Sequence, residues 1–214
     1  KPHSASIDME SFAKMYLMQE YVKSYDVCAG SILFHRDGQT EADKLIAGPI
    51  WDLDNAMGST QSNSGLGTVA DRKSGKGAFI TEINEDSYKT SLYKTLYQHE
   101  DFQLEVARQY NKNYELFNGL SSVIQTMTDE IDASAKMNHR KVNRIGYNLH
   151  QYSNAVTLEN GTEYAQSMLK TAGDAVSSLS DWANYAANLK TYAAARSLWF
   201  YNTYYDPDNP ALCE

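Results

Sequence analysis

The sequence predicts a mainly α-helical chain with one small β-hairpin. Two observations carry that expectation. From about Glu85 onward, long stretches place apolar residues at helical spacing, ending in "DWANYAANLKTYAAARSLWFYNTYY". Upstream, two short apolar runs, "SILFH" and "KLIAGPI", flank the turn-rich "RDGQTEAD". Bulk composition agrees: 42% of the 214 residues are hydrophobic, enough for one large domain or one lobe of something larger. Four prolines are too few for a disordered or collagen-like segment.

In chain order, "SIDMESFAKMYLMQEYVKSY" predicts a helix over about 8–24. Asp8 or Ser6 can cap it, and Glu10 stands in the first turn, where negative charge is favoured. Ile7, Phe12, Met15, Tyr16 and Val22 lie near one face, in a broad apolar stripe. The break "YDVCAG" leads into the hairpin, whose turn uses Asp37-Gly38. Residues 58–84, rich in Gly, Ser and Thr over most of their length, are expected to be a mobile loop, since loops of that length inside a domain are functional or disordered. Residues 85–205 then form a helical bundle of roughly five helices, among them "HEDFQLEVARQYNKNYELF" and, beginning at Gly119, "GLSSVIQTMTDEIDASAKMNHRKVN". In its last helix Trp182, Tyr185, Leu189, Tyr192, Ala193, Arg196, Trp199 and Phe200 recur at helical spacing as a core stripe.

The formal charge of −8 argues against broad binding of nucleic-acid backbone, and no apolar run is long enough to span a bilayer. No apolar h-region follows Lys1, so a secretory leader is not visible. Two cysteines, Cys28 and Cys213, are too few for a disulfide framework or a zinc site, and their count is compatible with one disulfide or two thiols. "NGT" at 160–162 matches a glycosylation sequon, meaningful only in a eukaryotic secreted protein.

Three motif matches fail. "HRD" at 35–37 copies the letters of a kinase catalytic loop, but Ala42 stands where that loop needs Asn. "DLDNAMG" opens like a calcium loop, yet Ala56 takes its fifth position, Gly58 falls one place late and Asn63 takes its twelfth. "SGKGA" has Ala70 where a phosphate loop needs its first glycine. What survives is an order of parts. Asp26 follows a helix, the hairpin comes next, and Asp52 and Asp54 follow its second strand. Kinases use that order: one Asp orients or deprotonates the acceptor hydroxyl, and a second holds the Mg²⁺ bridging the phosphates. Ser31 stands five residues after Asp26, where a kinase places a polar metal ligand. Pattern alone leaves the bland alternative open, because aspartates in turns and at helix ends are ordinarily solvated or capping residues.

Three stretches resemble the spore coat protein H (CotH) kinase family. "IDMESFAKMYLMQEYVKSYD" is similar to its helix ending in Asn-x-Asp, and "KLIAGPIWDLDNAMG" to its Gly-Pro-x-Trp-Asp-x-Asp signature. "LYKTLYQHEDFQLEVARQYN" and "LKTYAAARSLWF" resemble its helical tail, so the likeness runs from about residue 7 to 205. It implies an atypical protein-kinase-like C-terminal lobe, dependent on ATP and on Mg²⁺ or Mn²⁺. By the same resemblance Asp26 is catalytic, Asp52 and Asp54 hold metal, and Ser31 lies at the cofactor. The implied partners are a Ser-rich acceptor protein and other domains of a larger chain, with no nucleic acid and no membrane. The implied location is secreted or on a spore surface. Residues 8–57 would carry the helix, catalytic loop, hairpin and metal motif. The N-terminal lobe with its nucleotide-gripping lysine is expected elsewhere, so the fragment alone would be inactive. Two departures favour the alternative of a non-catalytic structural or adhesive module in a secreted, cellulosome-type protein. Ser24 replaces the family's Asn, and Ser31 is a shorter-reaching ligand than the Asn of a kinase. A metal-dependent hydrolase is disfavoured, because the nearest histidine in sequence, His35, belongs to the hairpin.

Overall fold

The computed structural model describes residues 3–24, 30–40, 42–53, 56–57, 77–82, 92–142, 156–157, 163–164 and 180–212. The expected 58–84 loop apart from residues 77–82, Asp26, Asp54, both cysteines and the start of the helix expected near Glu85 lie outside them. The described elements are helix α1 (Met9–Val22), the antiparallel pair β1 (Phe34–His35) and β2 (Ile46–Ala47), then α2 (Leu92–Leu96), α3 (Glu100–Lys112) and α4 (Tyr114–Val142). A second antiparallel pair, β3 (Val156–Thr157) and β4 (Glu163–Tyr164), precedes α5 (Ser180–Tyr204). The mainly helical class with a small hairpin is therefore the fold of the chain.

Helix α1 is the spine. Asp8 caps it, accepting from the Ser11 amide at 2.8 Å. Its start is stitched to β2: the Asp8 amide donates to the Leu45 carbonyl at 2.8 Å, and the Ala47 amide donates to Ser11 Oγ at 3.1 Å. Phe12 stacks on Phe34 of β1, with ring centroids 5.4 Å apart. The hairpin thus has one fixed seat on α1.

The broad apolar stripe expected for α1 is buried, and the burial extends beyond it. Beside Phe12, Met15, Tyr16 and Val22, the helix also buries Ala13, Leu17, Gln19, Glu20 and Tyr21, so its second half is enclosed on every side. Helix α3 covers one side with Phe102, Val106 and Tyr110, spaced four residues apart and all fully buried. Helix α5 covers another with Tyr192, Ala193, Arg196 and Phe200. In the expected stripe of α5, Leu189 and Trp199 are only partly buried.

The chain also breaks at a different place than expected. A single helix through "HEDFQLEVARQYNKNYELF" with a stop at Gly119 is replaced by a break at Asn113, after which α4 runs unbroken through Gly119. Asn113 ends α3 with its side-chain amide donating to the Gln109 carbonyl at 2.8 Å. A short polar side chain competes for the backbone acceptors at Asn113, whereas the partly buried Gly119 costs the helix only about 1 kcal/mol. The β3–β4 pair inside the expected all-helical region is likewise new.

The core is unusually phenolic. Tyr16 stacks on Tyr97 at 4.7 Å between centroids, Tyr21 packs on Phe200 at 5.2 Å, and Tyr110 lies against Phe117, Phe200 and Tyr204. Burial pushes the Tyr21 phenol up to about 12, against opposing pulls from Ser197 and Arg196, and raises Tyr16, Tyr93 and Tyr204 as well. Because the folded chain holds these protons to higher pH than the unfolded chain, stability is level below the ordinary phenol value of 10.0 and is lost as pH rises from there through about 12.

At the centre of this core lies one ion pair. Arg196 and Glu20 are both fully buried, and the guanidinium Nη2 donates to Glu20 Oε1. The two Glu20 oxygens also accept from the Phe79 and Ile80 amides, each at 2.7 Å. Arg196 further donates to the carbonyls of Gly77 at 2.7 Å and of Glu20 at 2.6 Å, and lies over the Trp199 ring at 4.2 Å.

Two outcomes are expected. Glu20→Ala should cost about 3–5 kcal/mol by stranding a buried guanidinium, measurable as a lowered urea midpoint at neutral pH. The wild-type midpoint should also fall between neutral pH and pH 11, and tyrosinate absorbance from the buried phenols should appear only together with unfolding.

Candidate functional site

The hairpin and its flanks bring two of the sequence-selected residues together. Ser31 precedes β1 and Asp52 follows β2, 21 residues apart, and Ser31 Oγ donates to Asp52 Oδ2 at 2.9 Å. Three local features place them. The Gly48 amide donates to the Leu33 carbonyl at 2.9 Å, closing the open end of the hairpin just before the aspartate motif. Gly48 itself takes φ +119, a backbone state closed to side chains, and is followed by a cis peptide to Pro49. Beyond Asp52, the Met57 amide donates to the Val22 carbonyl at 2.6 Å, tying the far side of the motif to the last turn of α1.

The backbone around this point is strained. Among the described residues, all the non-glycine positions of positive φ fall between 23 and 57: Lys23 at 50°, Ser31 at 53°, Asp52 at 61° and Met57 at 52°. Left-handed backbone costs such residues about 1–3 kcal/mol each, and it persists only where surrounding structure over-determines it. Both members of the Ser31–Asp52 contact are in that state. The contact is solvent-exposed, and the neighbouring Trp51 side chain is 61% exposed.

Chemically the pair offers hard oxygen donors, one carboxylate and one hydroxyl, converging on one point beside solvent. That donor set fits Mg²⁺ or Mn²⁺, which are held by one or two carboxylates and keep several waters. Asp26 and Asp54 lie outside the described residues, so their distances to this pair are not part of the geometry. Among the described residues no three His, Cys, Asp or Glu side chains cluster as a metal cage. His35 stays on the hairpin, its Nδ1 3.5 Å from the Gly48 carbonyl and its Nε2 3.7 Å from Asp37.

The family model described as CotH kinase protein matches residues 3–200. The chain belongs to the CotH kinase family. No curated protein and no solved structure matches it. The match spans α1, the hairpin, the Ser31–Asp52 contact and most of α5, so the buried Glu20–Arg196 pair lies inside it. Sequence reasoning did not connect that pair to the site. The available signal was Arg196, a cation standing within an apolar stripe of helical spacing.

Asp52→Asn should leave stability within about 0.5 kcal/mol of wild type. Asn tolerates left-handed backbone and can still accept from Ser31. A larger loss on urea unfolding would mean that the carboxylate charge has a structural role.

Proposed function

We propose that this CotH-family chain is the catalytic-lobe portion of an atypical protein kinase that transfers the γ-phosphate of ATP to serine or threonine of a Ser-rich acceptor protein. The observation that carries the reading is the Ser31–Asp52 contact at 2.9 Å, made by two strained residues on either side of a hairpin seated on α1. Phosphoryl transfer asks little covalent chemistry of the protein; it asks for positioning and for charge opposite the phosphates. Asp52, with Ser31 and Asp54, would hold Mg²⁺ or Mn²⁺, which when bound neutralises charge on the phosphate oxygens. Ser31 then fixes the Asp52 rotamer through its hydroxyl. Asp26, which follows α1 by four residues, would accept the proton of the acceptor hydroxyl. The acceptor would be an extracellular or spore-surface protein, and the nucleotide-gripping lysine would come from another part of a larger chain.

A second reading is favoured by Ser24 and Ser31, which stand where the family and kinases have Asn. On it the chain is a non-catalytic structural or adhesive module of a secreted multidomain protein, and the aspartates are inherited.

The deciding experiment is transfer of labelled γ-phosphate by the full-length protein with Mg²⁺ and with Mn²⁺, beside Asp26→Ala. Kinase activity predicts label on the protein or on an added Ser-rich acceptor, lost in the mutant while ATP binding is largely retained. No label from demonstrably folded protein with either metal would favour the structural module.

A further inference from the structure

The last turn of a helix leaves carbonyls without intrahelical partners. In α1 those of Glu20, Tyr21 and Val22 are taken up by residues distant in sequence. Arg196 Nη2 donates to Glu20 O at 2.6 Å, and Arg196 Nε lies 3.3 Å from both Glu20 O and Tyr21 O. The Tyr192 hydroxyl donates to Tyr21 O at 3.1 Å, and the Met57 amide donates to Val22 O at 2.6 Å. The same turn carries the Glu20 carboxylate, which holds the Phe79 and Ile80 amides, while Arg196 holds the Gly77 carbonyl. Both ends of the chain between Met57 and Gly77 are therefore moored on a single turn of α1. A guanidinium at that end also complements the negative pole of the helix.

Asp52 sits five residues before Met57. The described bonds that flank it are the Gly48–Leu33 bond of the closed hairpin on one side and the Met57–Val22 bond on the other. That bond needs the Val22 carbonyl to lie where it does, at the end of a turn shaped by Arg196. We infer that Arg196, acting with Glu20, is a positioning residue for the Ser31–Asp52 site: it fixes the end of α1, and through Met57 it fixes the loop that presents Asp52. The inference rests on the reading of Asp52 as a metal ligand.

Arg196→Lys is the informative variant, because a lysine keeps the charge opposite Glu20 but cannot fork to the Gly77, Glu20 and Tyr21 carbonyls at once. Val106→Ala, in the buried face of α3 and outside this network, serves as a control that lowers stability alone. Two quantities are measured in full-length protein: affinity for Mn²⁺ in the presence of ATP, and hydrogen exchange of the Met57, Phe79 and Ile80 amides. Arg196→Lys should weaken Mn²⁺ binding by about tenfold, the low end for residues that orient a metal ligand. It should also speed exchange at Met57 together with Phe79 and Ile80, while Val106→Ala changes neither. Unchanged Mn²⁺ affinity in Arg196→Lys, or an equal loss in Val106→Ala, overturns the inference and leaves the pair purely structural. Absence of Mn²⁺ binding in the wild type instead removes the reading of Asp52. The exchange data then decide the mooring alone, with faster exchange at Met57 in Arg196→Lys supporting it and unchanged exchange overturning it.

Discussion

The buried pair of Glu20 and Arg196 is the constraint on which the rest depends. Bringing two charges into a core is costly, and their attraction offsets that cost only when the remaining donors and acceptors are also satisfied. Here they are used heavily. The Glu20 oxygens take two backbone amides beside the guanidinium, and the guanidinium reaches three backbone carbonyls and two aromatic faces. An apolar substitute of similar volume could fill the space but could not hold residues 77–80 or close the end of α1. The pair joins α1 to α5 across 176 residues of sequence.

Seen from that pair, the molecule is organised along α1. The helix start carries the hairpin through Ser11, Asp8 and Phe12; its end carries Met57 and the 77–80 return. Ser31 and Asp52 meet between these two anchor points, on backbone that only a well-held surround can keep in the left-handed region. A site that must present charged oxygens to a metal and phosphates benefits from such rigidity, since catalysis by positioning loses its advantage when the groups wander. The phosphotransferase reading proposed for this CotH-family member draws its support from that arrangement.

Much of this was legible in the sequence, and the parts that were not share a cause. Local signals worked: Asp8 as cap, the two apolar runs as a hairpin and the spacing of α5 all depend on neighbours within a few residues. The meeting of Ser31 and Asp52 was foreshadowed only by the order of parts, because no spacing rule ties residues across a hairpin with a loop on each flank. Glu20 gave no warning. It reads as an ordinary surface acid, and only the long-range approach of Arg196 and of the 79–80 amides makes its burial tolerable. The stop at Asn113 was missed because Gly119 is the louder local signal, although a single partly buried glycine costs a helix only about 1 kcal/mol. The 3.6-residue pattern also understated α1, since a helix covered from several sides needs no polar face.

On the proposed function, Asp52 faces a metal ion shared with nucleotide phosphates. The most direct test is a crystal structure of the protein grown with Mn²⁺ and a non-hydrolysable ATP analogue, with the metal located by anomalous scattering. The expected result is an anomalous peak within bonding distance of an Asp52 carboxylate oxygen and of the nucleotide phosphates. Bound nucleotide and metal at another place, with Asp52 still held only by Ser31, would contradict it.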